Sequence, residues 1–127
     1  MKKVSTEKAP AAVGPYSQAI ISGGSVFVSG QLGLNAIGTF GEGIAAQTEI
    51  AINNLSEVLL AAGSSLKKVV KTTCFLSNIA DFASFNEVYG KYFTEKPARS
   101  LIQAAALPKG SLVEIEAIAV IGEKEEK

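Results

Sequence analysis

Twelve basic side chains occur in this 127-residue chain, and only one of them is an arginine: Arg99, in Pro97-Ala98-Arg99-Ser100. The planar guanidinium fork pairs a carboxylate or phosphate through two parallel hydrogen bonds, which an ammonium cannot do. Arg99 therefore reads either as an anion clamp for a small substrate or as one half of an inter-strand or inter-subunit salt bridge. Glu114 and Glu116 stand two apart in Leu112-Val113-Glu114-Ile115-Glu116-Ala117-Ile118, so on a strand they share a face. Acidic groups are rarely buried without a partner. One of these could hold a water or a proton in a cleft, its pKa tuned by burial. The plainer reading is a half-exposed strand end, or a structural pair with a lysine. Tyr16, after Gly14-Pro15, could line a pocket and offer its hydroxyl, or be a core aromatic with a wet tip. In Ser29-Gly30-Gln31 the glycine lets a backbone N–H come close to a ligand; the alternative is a simple turn. Asn86 reads as a helix surface residue, and Cys74 as an inert buried thiol.

Several chemistries are excluded at once. The chain has no histidine, which removes serine-type triads, histidine-dependent ribonuclease chemistry and nearly all transition-metal sites. Neither phosphate-cradling glycine motif occurs, despite five glycines between Gly30 and Gly43. The formal net charge is zero, giving no electrostatic footprint for nucleic acid or an anionic membrane. No apolar run approaches the roughly 18 residues of a spanning helix. The polar start, Met1-Lys2-Lys3-Val4-Ser5-Thr6-Glu7, carries no signal-peptide pattern, and one cysteine cannot form an internal disulfide. Both features point to a cytoplasmic protein.

The elements that must position these residues follow from pattern. The length argues for a single domain over 1–127, able to bury roughly two-thirds of its unfolded surface. A short edge strand at 2–5 precedes an irregular, proline-containing stretch. Residues 17–22 and 25–29, rich in β-branched types and split by Gly23-Gly24, predict a hairpin. Gly30 to Gly43 reads as a long loop. Ile44, Thr48, Ala51, Leu55, Val58, Leu59 and Ala62 recur at helical spacing and predict a helix over 44–62, stopped by Gly63. A strand at 67–77 precedes a second helix, with Asp81 as N-cap, running to Phe93 with Phe82, Phe85, Tyr89 and Phe93 as its apolar stripe. Strands at 98–106 and 111–121, joined by Leu107-Pro108-Lys109-Gly110, precede a solvated tail at 123–127.

The order β-β-β-α-β-α-β-β is an α+β arrangement in which two helices can cover one sheet face. The strands are nonetheless apolar on both sides, as in Val69-Val70, Cys74-Phe75-Leu76 and Leu101-Ile102. Such strands are buried on both faces, and no element is left to cover the second. Copies of the same chain in a closed symmetric oligomer would cover it; the plainer alternative is a somewhat apolar sheet face left exposed.

The segments Ala9 to Ala19, Val28-Ser29-Gly30-Gln31, Val69 to Thr73, Pro97-Ala98-Arg99-Ser100 and Leu107-Pro108-Lys109-Gly110 through Val113-Glu114-Ile115-Glu116-Ala117 resemble the reactive intermediate deaminase A family. That family is also called YjgF and, in older naming, endoribonuclease L-PSP or translation-inhibitor protein. The resemblance runs over essentially the whole chain, and the block from Pro97 to Ala117 is its most specific part. It implies a chorismate-mutase-like fold, with one six-stranded mixed sheet, two helices on one face, and a homotrimeric barrel with active sites between subunits. It implies hydrolysis of 2-imino acids, such as 2-iminobutanoate and 2-iminopropanoate, to 2-keto acids and ammonia. Arg99 matches the arginine that binds the substrate carboxylate, and Glu114 the glutamate that positions the water. Tyr16, Ser29, Gly30 and Asn86 match residues lining the cleft. Leu101 stands where many members have cysteine, leaving its backbone carbonyl as the contact, and the stretch before Pro97 is a few residues short. A protonated imine is already electrophilic, so neither metal nor cofactor is required. The other readings are a non-catalytic module binding small carboxylates, and the ribonuclease or translation inhibitor of the older name, which the absent histidine and balanced charge disfavour.

Overall fold

A computed structural model describes residues 1–122; the expected solvated tail at 123–127 lies outside the described residues. Six strands form one mixed sheet: β1 Lys2–Val4, β2 Ala19–Ser22, β3 Ser25–Leu32, β4 Val69–Leu76, β5 Ala98–Gln103 and β6 Val113–Val120. Two helices, α1 Gly43–Ala61 and α2 Phe82–Tyr92, complete the α+β arrangement. The strand order is β1-β2-β3-β6-β4-β5, antiparallel throughout except for the parallel β4–β5 pair at one edge.

The β2–β3 hairpin forms as its composition predicts. Gly23 and Gly24 both take positive φ, 59° and 83°, as a two-residue turn matching strand twist requires. Helix α1 ends as its glycine predicts. Gly63 has φ 84°, its N–H donates to the Leu60 carbonyl at 3.1 Å, and the Ser64 N–H donates to the Leu59 carbonyl at 2.8 Å. The face of α1 carrying Thr48, Ala51, Ile52, Leu55, Val58 and Leu59 is buried. It packs on β3 and β6, whose inward residues Val26, Val28, Val113, Ile115, Ala117 and Ala119 complete the core. Each fully buried aliphatic side chain there stabilises the fold by about 1.5–3 kcal/mol before entropy is counted.

Several boundaries differ from the sequence reading, for physical reasons. Strand β3 does not stop at Ser29. It continues through Gly30 to Leu32 across a register shift between Val28 and Gln31, so the glycine sits at a bulge instead of ending the strand. The residues before Val69 form a 3-10 turn, Leu66–Lys68. Strand β5 ends at Gln103 because its partner β4 ends at Leu76, whose carbonyl accepts from the Ala104 N–H at 2.9 Å. Strands β5 and β6 are consecutive in the chain but are not neighbours, since β6 lies between β3 and β4. Asp81 sits at the N-cap of α2 without capping it through its side chain. Asn78 caps the preceding turn instead, its Oδ1 accepting from the Ala80 N–H at 2.9 Å. Phe85, Tyr89 and Phe93 form the buried stripe of α2, but Phe82 leaves it and is 41% exposed.

Both helices lie against the face carrying Thr72, Cys74, Leu76, Ile115 and Ala117. The opposite face runs in register through Ile20, Phe27 and Ile118, then through Leu32, Glu114, Phe75 and Ile102. No helix covers it among the described residues, and it leaves Phe27 44% and Ile102 53% exposed.

A buried polar network ties the loop before α1 to the start of β6. Gln47 donates to the Gly41 carbonyl at 3.1 Å and accepts from the Leu112 N–H at 2.8 Å. Ser111 accepts from the Gly33 N–H at 3.0 Å and donates to the Val113 carbonyl at 2.8 Å. These bonds fix where β6 begins, one residue before Glu114.

Candidate functional site

Strand β5 delivers Arg99 at the sheet edge. In the parallel pairing Arg99 stands opposite Thr72, so its side chain rises on the helix face. There the guanidinium meets α2. Its Nη1 donates to Asn86 Oδ1 at 2.7 Å. Its Cζ lies 4.8 Å from the centroid of the Tyr89 ring, 5.9 Å from Phe82 and 6.0 Å from Phe85. Asn86, Phe82, Phe85 and Tyr89 present one face of α2 because their spacings of three and four residues repeat the helical turn. Leu101, opposite Cys74, shares the Arg99 face, half-buried against the core.

The network beneath Arg99 is polar and buried. The Tyr89 hydroxyl and Thr72 Oγ1 are hydrogen-bonded at 2.7 Å, and the Cys74 thiol reaches Thr72 Oγ1 at 3.8 Å. Burial raises the Tyr89 pKa, a rise opposed by its bond to Thr72 and by the Arg99 charge. Burial also pushes the Cys74 thiol up to about 11, so it stays protonated and inert, as its mid-strand position predicts.

A second group of residues gathers on the other sheet face. Glu114 stands opposite Phe75 on one side and Leu32 on the other. Its carboxylate lies over Gly30: a Cβ built on that glycine would meet Glu114 Oε2, with Cδ at 2.8 Å and Cγ at 2.9 Å. The bulge that carries β3 through Gly30 thus makes room for a carboxylate. Partial burial holds the Glu114 pKa above the usual carboxylate value, and the charge of Glu116 raises it further. Glu116 itself is exposed, two positions along the same face. Tyr16, 55% exposed, and Gly30 line a cleft of about 400 Å³ with Leu32, Pro108 and Lys109. Ser29 does not offer a free hydroxyl proton; its Oγ donates to the Ser17 carbonyl at 2.6 Å and ties the bulge to the chain before β2.

The site residues therefore fall into two sets. Arg99, Asn86 and Leu101 belong to the helix face at the β5 edge, whereas Glu114, Gly30 and Tyr16 belong to the opposite face. One chain does not bring Arg99 and Glu114 together. Sequence reasoning placed Tyr89 in an apolar stripe and missed its role under the guanidinium. The signal available was its hydroxyl, which needs a partner when buried, three residues after Asn86 on the same helix face.

The chain is thus placed in the class of α+β domains that present a lone oriented guanidinium on one sheet face and a half-buried carboxylate on the other. The comparisons with known proteins narrow that class. The sequence model of the family described as Endoribonuclease L-PSP matches residues 6–121, and the chain belongs to that family. A 2-iminobutanoate/2-iminopropanoate deaminase from Rattus norvegicus is 49% identical over 126 residues, covering 95% of this chain and 90% of that protein. The crystal structure of RidA from the Antarctic bacterium Psychrobacter sp. PAMC 21119 superposes with a TM-score of 0.91 at 46% identity, covering 95% of this chain and all of that one. The structure of E. coli TdcF with bound serine gives a TM-score of 0.92 at 38% identity, covering 96% of this chain and all of that one.

Proposed function

We propose that this protein is a 2-imino acid deaminase, hydrolysing small 2-imino acids such as 2-iminobutanoate and 2-iminopropanoate to 2-keto acids and ammonia. Near-full-length relatives with that name support the reaction, and a family structure holding serine supports a small carboxylate ligand. The observation that carries the assembly is the separation of Arg99 from Glu114 on two faces of one sheet. A single chain cannot aim both at one molecule. A homotrimer in which copies meet through their uncovered sheet faces supplies the guanidinium from one protomer and the carboxylate from the next. That arrangement also buries Phe27, Phe75 and Ile118.

In this mechanism Arg99 binds the substrate carboxylate bidentately and so fixes the imine carbon. Asn86 holds one arm of the guanidinium and leaves its other donors for the ligand. Leu101, on the same strand, offers its backbone carbonyl. Tyr16, Ser29 and Gly30 line the carboxylate side of the cleft. Glu114 orients a water against the imine carbon and takes its proton as the C–O bond forms. Glu114 returns that proton to the carbinolamine nitrogen, which leaves as ammonia as the C–N bond breaks; the hydroxyl gives up its proton to the departing ammonia as the keto C=O forms. The protonated imine supplies its own electrophilicity, so positioning is the main contribution. The setting proposed is the cytoplasm, a reading supported by the single, buried thiol of Cys74; among the described residues no helix is long and apolar enough to cross a membrane.

The test is Glu114→Gln, assayed with imine generated in situ by a threonine dehydratase. Activity is expected to fall about 100-fold or more, the scale of a positioned general base, while 2-keto acid binding persists. Unchanged activity would assign the water to another group; a parent that binds 2-keto acid without hydrolysing the imine, and a variant that binds it equally well, would favour the non-catalytic carboxylate-binding reading, which needs Arg99 but not Glu114. The pH dependence has a definite sign. Glu114 acts ionised and its pKa is raised, so the rate falls on acidification at a pH above that of an ordinary carboxylate. For stability the sign is opposite. A raised folded-state pKa contributes stability below the unfolded value, and this is lost as pH rises through the folded value. The neutral Glu114→Gln variant is therefore at least as heat-stable as the parent at pH 7, which a melting curve checks.

A further inference from the structure

The structure assigns Tyr89 as the positioning residue for Arg99: its ring is the floor of an aromatic cradle that fixes the guanidinium before substrate arrives. The assignment rests on the reading of Arg99 as the carboxylate clamp, and it adds how an edge-strand side chain is held still. Arginine has several rotatable bonds, and β5 has a strand neighbour on one side only. Left to itself, its side chain would sample many rotamers, and ordering it would weaken binding.

Three observations converge on Tyr89. Its ring is the nearest of the three to the guanidinium, at 4.8 Å, within the range where a cation is attracted to the face of an aromatic. The ring cannot swing away, because Phe93 stacks on it at 4.3 Å and Phe85 packs at 5.4 Å. Its far end is tied down by the 2.7 Å bond to Thr72 Oγ1, on the strand position opposite Arg99 itself. Phe82 and Phe85 extend the cradle, and Asn86 sets the rotation of the fork from the side. The exposed position of Phe82, unexpected for a stripe residue, is explained by this role.

The single arginine makes the idea directly observable, since the folded chain yields one arginine side-chain Nε–H resonance. In the parent that resonance is expected well upfield of a free arginine, through the ring current of Tyr89. Tyr89→Phe keeps the ring and should keep the shift. Tyr89→Leu should move it towards the free value and raise KM about five- to tenfold, with kcat within about twofold, the ratio expected when one partly desolvated cation–π contact is lost. A merely structural role would lower the active fraction and kcat instead. Phe82→Leu, an exposed change that leaves the core intact, should move the resonance in the same direction by less, and it serves if Tyr89→Leu does not fold. A resonance near the free value in the parent, or one unmoved by both leucine variants, overturns the assignment. Titration with 2-oxobutanoate separates the two levels. A resonance that answers to Tyr89→Leu but not to the keto acid supports the cradle and refutes the carboxylate clamp.

Discussion

Arg99→Ala is expected to reduce kcat/KM for imine hydrolysis by about 10³-fold or more, which amounts to loss of turnover above the spontaneous rate. The change removes both arms of the fork and the charge that, in the proposed mechanism, holds the carboxylate. Every other basic side chain is a lysine, and an ammonium lacks the planar fork that would replace it. The fold should tolerate the loss. Arg99 is half-buried at an edge, and the Asn86 amide it leaves behind can turn to water. Arg99→Lys should recover little, since an ammonium cannot bond Asn86 and a carboxylate in the same plane. Kinetics with enzymatically generated imine, alongside a melting curve, read both effects. A variant as fast as the parent would remove Arg99 from the mechanism.

Gly30→Ala is expected to be nearly as damaging to activity and almost silent in stability. The added methyl would occupy the space of the Glu114 carboxylate, and the three nearest atoms all belong to that one side chain. A side-chain terminus can swing aside with little cost to the core, so unfolding should shift by less than about 1 kcal/mol. The carboxylate then no longer faces the water, and a displacement of about 1 Å in a reacting group can cost roughly 100-fold in rate. Activity within a few-fold of the parent would show that the position of Glu114 over Gly30 has no catalytic consequence.

How far the fold was legible depended on the kind of signal. Helix α1 was read to within a residue because its apolar spacing and Gly63 agree. The hairpin was read because Gly23-Gly24 admits few other turns. Gly30 misled, because a glycine after a short apolar run is as well suited to ending a strand as to a bulge. Only the β6 side chain packed over it distinguishes the two, and that contact spans 84 residues. Asp81 misled in the same way: its type suits an N-cap, but Asn78 had already satisfied the turn. The residue types at the site were visible, since Arg99 stands out among lysines and Glu114 in a run of aliphatics. Their disposition was not. Which face each takes depends on the pairing of β4 with both β5 and β6, and no local pattern records a register set between distant strands. The cradle was hidden for the same reason: Tyr89 fits an apolar stripe until Thr72 and Arg99 are brought to it.

In the proposed assembly, the division of guanidinium and carboxylate between two sides of one sheet makes catalysis a property shared between molecules. A chain lacking Arg99 still carries an intact Glu114 side, and one lacking Glu114 still carries an intact Arg99 side. Two preparations, each inert alone, should regain part of the parent activity when unfolded together and allowed to reassemble, because mixed particles contain junctions where the two undamaged halves meet. Dilution far enough to dissociate the parent should silence it, although every chain stays chemically whole.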